Sequence, residues 1–218
     1  MTMRAPKDDF SHITTWVFDL DNTLYDPSVR LFDQIEVRMT EYVVRTLNVS
    51  KKEADRLRSE YWAEYGTTLA GLMRVHDIDP DPYLEEVHDI SFDELTHDAE
   101  LRQLITTLPG RRIVYTNGTA PYAENVLKGR GLDDVFDAIY GIEHADYLPK
   151  PEQAAFEQVF AKDGLKPAQA AMFEDTHRNL IAPHEMGMRT VYVAPDPYDA
   201  DHIHHHTGDL NRFLRALV

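Results

Sequence analysis

Two carboxylates one residue apart, Asp19 and Asp21, close an apolar run that extends from Ile13 to Phe18. A short apolar run bounded by polar residues reads as a buried strand. In open α/β sheets, ligands gather beyond the carboxyl ends of the strands. Two acids at such a tip repel each other unless a cation holds them, and a hard divalent ion with oxygen ligands does so most simply. An aspartate held there is placed to act as a nucleophile toward phosphorus. Three further segment ends carry compatible groups. Thr116 and Asn117 follow the β-branched stretch that begins at Ile113 and offer neutral donors to phosphate. Lys150, just before Pro151, offers a cation, and Glu174 with Asp175 offers a second acidic pair for a metal.

These groups meet only if the chain brings its strand tips to one rim. The hydrophobic pattern predicts strands over Ile13–Leu20, Ile113–Thr116, Ala138–Ile142, Ala170–Phe173 and Arg189–Val193. Helical patterns separate them: Ala99–Leu108, Tyr122–Arg130 closed by Gly131, Pro151–Lys162 with proline in its first turn, and Leu180–Met186 closed by Gly187. Alternating strand and helix predicts a doubly wound parallel sheet with right-handed crossovers, an α/β, Rossmann-like core. The block after the first strand is different. Residues from Pro27 to Leu47, from Lys51 to Tyr65, from Thr67 to His76 and from Pro82 to Val87 read as helices, and Ser50 with Glu53 reads as a capping box. The expected division is a core of residues 1–24 and 97–218, with an all-helical unit of residues 25–96 inserted after the first strand.

Composition narrows the classes. The 218 residues are 43% hydrophobic and 28% charged, as in ordinary globular proteins, and the net charge is -16. That charge argues against a nucleic-acid polymer as partner, whose binding footprint is basic. It also means that an anionic substrate needs locally placed positive charge from a metal, a lysine or helix N-termini. The absence of cysteine excludes disulfides, thiolate zinc sites and a cysteine nucleophile. No apolar run approaches the length of a membrane span. Met1–Phe10 is polar and mixed in charge, without the apolar region of an export signal. A cytoplasmic enzyme without membrane attachment is the expectation.

The order Asp19-Leu20-Asp21-Asn22-Thr23, Thr116-Asn117, Lys150-Pro151, Glu174-Asp175 resembles the haloacid dehalogenase-like superfamily of phosphotransferases, in which each of these motifs stands at a strand end. The dehalogenating branch lacks the second aspartate, so Asp21 favours phosphate chemistry. The helical block resembles the cap that one subgroup carries after its first strand. A narrower resemblance, to pyrimidine 5'-nucleotidases, rests on Asp19-Leu20-Asp21-Asn22-Thr23-Leu24-Tyr25 together with Tyr61-Trp62-Ala63-Glu64-Tyr65-Gly66-Thr67-Thr68-Leu69 and Gly71-Leu72. The His-rich segment before the last helix is similar to that branch as well.

The resemblance implies a Mg²⁺-dependent phosphatase for a small phosphorylated metabolite, a pyrimidine nucleoside 5'-monophosphate. Mg²⁺ would lie among the Asp19 carboxylate, the Asp21 carbonyl and Asp175, with Glu174 supporting. Asp19 would become an aspartyl phosphate, and Asp21 would give a proton to the leaving oxygen and later take one from water. Lys150 would neutralise phosphate and carboxylates alike. Thr116 and Asn117 would bind phosphate oxygens, helped by the helix that follows. Phosphoglycolate or sugar-phosphate hydrolysis, a phosphomutase and a non-catalytic regulator share the same motifs and are the alternatives. Substrate identity and oligomeric state are not written in these residues. Tyr61, Trp62 and Tyr65 stand at helical spacing, which predicts packing within the helical unit. Tyr25 and Arg30 lie close enough to the first strand tip to reach substrate. His202, His204, His205 and His206 have no companion at a familiar metal spacing and read as a polar loop before a helix over Thr207–Val218.

Overall fold

A computed structural model describes residues 6–218; residues 1–5, part of the polar start and of the expected core segment 1–24, lie outside the described residues. After α1 (Pro6–Asp9) comes β1 (Thr15–Phe18), followed by four helices: α2 (Leu31–Leu47), α3 (Lys51–Tyr65), α4 (Thr68–His76) and α5 (Pro80–Val87). The chain then runs α6 (Ala99–Thr107), β2 (Arg111–Tyr115), α7 (Ala120–Arg130), β3 (Ala138–Tyr140), α8 (Gln153–Asp163) and β4 (Ala170–Glu174). It ends with α9 (Ile181–Glu185), β5 (Arg189–Val193), β6 (His205–Thr207) and α10 (Leu210–Arg215). The described strands form one sheet of order β3-β2-β1-β4-β5-β6, in which every pairing is parallel. This is the expected Rossmann-like α/β core.

β1 is central because all four of its residues are buried on both faces, as a parallel strand between helical layers demands. Trp16 and Phe18 face one layer, with Phe18 stacked on Phe173 of β4 at 4.6 Å, and Val17 faces the other with Ile113, Tyr115 and Met172. α6, α7 and α10 cover the first face, and α8 and α9 cover the second. Register places Phe18 beside both Val114 and Phe173. The tips of β1, β2 and β4 therefore end side by side, and the chain leaves each of them on the same rim.

The helices α2–α5 follow β1 with no strand among them. Their buried residues, including Leu31, Ile35, Val43, Tyr61, Leu72 and Tyr83, are continuous with the first core layer. Tyr61 packs so closely on Gly71 that a Cβ there would lie 2.1 Å from its ring. Arg130, at the end of α7, ties both roots of this helical segment. Its guanidinium donates to the carbonyls of Leu24 and Thr96 and to Asp98 Oδ2.

Several local expectations are corrected. Pro27–Val29 is a separate 3₁₀ turn capped by Asp26, and α2 begins only at Leu31, after Arg30 adopts a left-handed conformation. Ser50 caps α3 through Glu53 N, but the Glu53 carboxylate pairs with Arg56, so the reciprocal half of the capping box is not formed. Pro151 precedes α8, whose N-cap is Glu152. The polar loop expected at the histidines contains β6, which pairs through Val191–Val193 at the sheet edge. Three half-buried polar residues paired on one side leave no apolar alternation to read.

Candidate active site

The residues singled out at the strand ends converge. Lys150, 2% exposed, donates from Nζ to Asp19 Oδ1 at 2.6 Å, to Glu174 Oε2 at 2.6 Å and to the Tyr115 carbonyl at 3.2 Å. All three ammonium protons are thus directed at protein oxygens. Its charge remains at the centre of the acids. Burial works against the ammonium, but the charges of Asp19 and Glu174 and their hydrogen bonds win and raise its pKa. Asp19 also receives the Thr23 hydroxyl on Oδ2 at 3.0 Å. Burial and then the charge of Glu174 hold its carboxyl above the ordinary range, against the opposing pull of Lys150.

One carboxylate oxygen from each of Asp19, Glu174 and Asp175 falls within 4.8 Å of the others. Burial, followed by the charges of Asp19 and Glu174, raises the pKa of Asp175 well above the usual carboxylate value. A single ammonium does not balance three clustered acids, and an all-oxygen donor set suits a hard divalent cation. The three do not contribute equally. Glu174 Oε2 is held by Lys150, and Oε1 accepts from Asn179 Nδ2 at 3.1 Å and from Thr176 N at 3.3 Å. Asp175 accepts the Thr176 hydroxyl on Oδ1 at 3.2 Å and shares a hydrogen bond with the Glu174 carboxyl. Asp175, the least engaged of the three, fits direct ligation best; Asp19, with one donor on each oxygen, retains acceptor capacity beside it, and Glu174, with three donors, fits a supporting place.

Asp21 lies across from this group and is held by two phenols. Tyr25 and Tyr122 each donate to its Oδ1 at 2.6 Å. Burial and the Asp19 charge push the Asp21 carboxyl up to about 6, while the two phenol hydrogen bonds pull the other way. A carboxyl that titrates there can exchange protons near neutrality.

Just beyond β2 the Thr116 hydroxyl accepts the Gly118 N–H at 2.9 Å, which leaves its own proton free to donate. Asn117 serves the neighbouring loop. Its amide accepts from Lys150 N at 2.8 Å and donates to Lys150 O at 3.1 Å, bracketing that peptide. The side chain thereby positions the lysine loop at the edge of the cavity.

These residues form the floor of a cavity of about 690 Å³. Its far wall is supplied by α2 and α3, including Phe32, Glu36, Met39, Arg58, Ser59 and Trp62. Tyr61 is buried and Tyr65 packs beside it, as expected, but Trp62 is 52% exposed and lines the cavity. The Arg178 guanidinium stacks over Trp62 at 3.7 Å and donates to the carbonyls of Trp62 and Gly66. Gly66, with φ of 91°, lets the end of α3 settle on the lysine loop: a Cβ there would lie 3.2 Å from Lys150 O. Tyr25 reaches Asp21, whereas Arg30 is exposed and pairs with Asp33. The histidines of the edge strand and its approach are held within the fold: His204 Nδ1 meets Thr190 Oγ1 at 2.7 Å, His206 Nε2 meets the Ala194 carbonyl, and His205 lies against Phe10 and Phe213. Tyr122, Arg178, Asn179 and Arg58 escaped sequence reasoning. The only signal for Tyr122 is its place in the first turn of the helix after β2, which must start at the catalytic rim.

Comparison with known proteins agrees with this geometry. The family model described as haloacid dehalogenase-like hydrolase matches residues 16–193. Phosphate metabolism protein 8 of Saccharomyces cerevisiae is 27% identical over 204 residues, which cover 85% of this chain and 64% of the yeast protein. The chain thus spans less than two thirds of that relative. Among solved structures, a HAD phosphatase from Thermococcus onnurineus aligns with a TM-score of 0.62 at 19% identity, covering 94% of this chain and 98% of the other. A 2-haloacid dehalogenase from Pseudomonas syringae pv. Tomato aligns with a TM-score of 0.60 at 20% identity and the same coverage. These two show the shared fold. The strand-tip residues and the match across most of its length establish that the chain belongs to the haloacid dehalogenase-like hydrolase family.

Proposed function

We propose that the protein is a Mg²⁺-dependent phosphatase that hydrolyses a small phosphomonoester through an aspartyl phosphate on Asp19, with a pyrimidine nucleoside 5'-monophosphate as substrate. The observation that carries the reading is the placement of Asp21. A carboxyl able to give up a proton faces the same cavity as the Asp19 nucleophile, and an alkoxide leaving group needs that proton where a halide does not.

In the first step an oxygen of Asp19 bonds to phosphorus, the phosphorus–ester oxygen bond breaks, and the Asp21 proton passes to the departing oxygen. In the second, water attacks phosphorus, its proton returns to Asp21, and the bond to Asp19 breaks to restore the carboxylate. Lys150 keeps Asp19 ionised and aimed, and Thr116 donates its free hydroxyl proton to a phosphate oxygen. Asp19 and Asp175, with Glu174 behind them, would hold Mg²⁺, which supplies charge neutralisation for the phosphoryl oxygens. The helices α2–α5 act as a cap whose wall selects the leaving group.

The wall favours a nucleoside over a short acid. Phe32, Met39 and Trp62 offer apolar and aromatic surface, while Arg58, Glu36 and Ser59 offer polar groups. A planar base with a polar edge can use both kinds of group, and a two-carbon phosphoglycolate is too short to use either. The test is a phosphate-release panel of UMP, CMP, phosphoglycolate and a hexose phosphate, with and without Mg²⁺. The expected result is Mg²⁺-dependent release that is fastest from the nucleotides and abolished by Asp19→Asn. Preference for phosphoglycolate or the hexose phosphate would move the protein to the alternative substrate class. Near-wild-type turnover by Asp19→Asn would end the scheme, and isomer formation without free phosphate would make it a mutase.

A further inference from the structure

Asp21 is fixed in an unusual way for a group that must pass a proton. Both hydrogen bonds it accepts, from the phenols of Tyr25 and Tyr122, fall on the same oxygen, Oδ1. Oδ2 has no hydrogen-bond partner among the described residues. A carboxyl group is flat and rotates about one bond, so two donors on one oxygen set its plane and settle which oxygen is left over. The two phenols come from distant parts of the chain and meet at this oxygen, where they also interact with each other: Tyr25 precedes the inserted helices, and Tyr122 stands in the first turn of α7. Each ring is buried, at 3% and 2% exposure, so neither phenol swings away without disturbing the core. Tyr122 is gripped once more. The His88 imidazole, at the end of α5, stacks on its ring at 4.3 Å and 12°, and its Nδ1 lies 3.3 Å from the Thr119 hydroxyl that caps α7. Neither phenol takes part in holding Asp19, Lys150 or Asp175.

We propose that Tyr25 and Tyr122 are positioning residues for proton transfer: by occupying Oδ1 of Asp21 they dedicate Oδ2 to the departing oxygen and then to water, and His88 carries the seating of the cap helices to that carboxyl through Tyr122. The proposal rests on the reading of Asp21 as acid and base and extends it to the residues that aim it. It separates the two halves of the reaction by their need for a proton. A leaving group that departs as a stable anion does not need an aimed acid, whereas hydrolysis of the aspartyl phosphate needs an aimed base whatever the substrate was.

The test uses Tyr25→Phe, Tyr122→Phe and the double variant, with Asp21→Asn as the reference. Each is assayed with p-nitrophenyl phosphate and with the alkyl monophosphate that the wild-type enzyme turns over fastest. kcat/KM reports the phosphorylation step. For the alkyl ester it is expected to fall roughly ten-fold in each single variant and roughly a hundred-fold in the double one, the effect of losing hydrogen bonds to a charged group. For p-nitrophenyl phosphate it stays within about two-fold of wild type, because p-nitrophenolate needs no proton to leave. In rapid mixing, the double variant releases a burst of p-nitrophenolate matching the enzyme concentration and then turns over slowly, as the phosphoenzyme waits for water. His88→Ala follows the same leaving-group pattern at a smaller size, and His88→Phe, which keeps a stacking ring, restores the alkyl-ester rate. Equal losses for both leaving groups would mean that the phenols merely support the fold, and no loss for either would mean that Asp21 is aimed without them; each overturns the proposal. If Asp21→Asn itself lacks the leaving-group pattern, the assignment of Asp21 is at fault and the proposal falls with it. If Asp21→Asn shows the pattern and the tyrosine variants do not, the proposal alone is refuted.

Discussion

Lys150→Met removes the cation that bridges Asp19 and Glu174. The ammonium and both carboxylates are almost wholly buried, with each N–O separation at 2.6 Å. Methionine fills most of the volume, so the change is chiefly one of charge. Breaking a buried ion pair by deleting one partner costs about 3–5 kcal/mol, because the survivor stays in a poorly solvated place. For a chain of this size that is a fall in Tm of roughly 6–20 °C. The cost exists only while the carboxylates are ionised. Burial already raises Asp19 above its ordinary value with the lysine present. Without it the folded-state pKa rises further, so the folded state takes up protons that the unfolded chain binds only near pH 4. The variant therefore recovers as pH falls toward the ordinary carboxylate value, and its Tm deficit is widest at pH 8 and narrowest near pH 5. Differential scanning calorimetry of both proteins across that range, in a chelating buffer, measures this directly. A deficit under about 2 °C, or one that is the same at every pH, would refute the view of Lys150 as the electrostatic keystone of the site.

Four other outcomes follow from the same geometry. In the metal-free protein, Asp19 and Asp175 have raised folded-state pKa values, so their ionisation lowers stability as pH climbs above the ordinary carboxylate range; Mg²⁺ is expected to raise Tm more at pH 8 than at pH 5, and an equal shift at both would count against direct ligation. Asn117→Ala frees the Lys150 peptide, and kcat is expected to fall about ten-fold with little change in KM, as steady-state kinetics would show. If the substrate is a nucleotide whose base lies against the α2–α3 wall, Arg58→Met should raise KM for UMP about ten-fold while leaving p-nitrophenyl phosphate hydrolysis nearly unchanged, as steady-state kinetics would show. Arg130→Met loses donors to Leu24, Thr96 and Asp98 and should cost about 3 kcal/mol, with new proteolytic cleavage next to residues 24 and 96; protection equal to wild type would contradict its anchoring role.

The catalytic rim was legible because each functional group ends an apolar segment. Asp19 closes β1, Thr116 follows β2 and Asp175 follows β4, and a parallel sheet leaves its strand ends no choice but to share an edge. What sequence could not carry was who touches whom across long separations. Tyr122 meets Asp21 from 101 residues away, and nothing in the helical pattern of α7 distinguishes a tyrosine facing a carboxylate from one filling the core. The Asn117 side chain could be aimed at phosphate or at its own neighbourhood, and only the approach of the Lys150 peptide decides. Trp62 shares helical spacing with Tyr61, yet one faces the cavity and the other faces Gly71, because spacing fixes a face only once the neighbours on that face are known. β6 was invisible because an edge strand of three polar residues has no second face to bury.

The bonds from Arg130 to Leu24 and Thr96 are made to backbone carbonyls, which every residue type possesses. The joint between core and insert therefore demands almost nothing of the sequence that passes through it. Side chains at Leu24 and Thr96 can change without loss of these bonds, provided the chain departs and returns where that guanidinium waits. Sequence dependence lies instead deeper in the helical segment, where Trp62 and Gly66 meet Arg178 and His88 meets Tyr122.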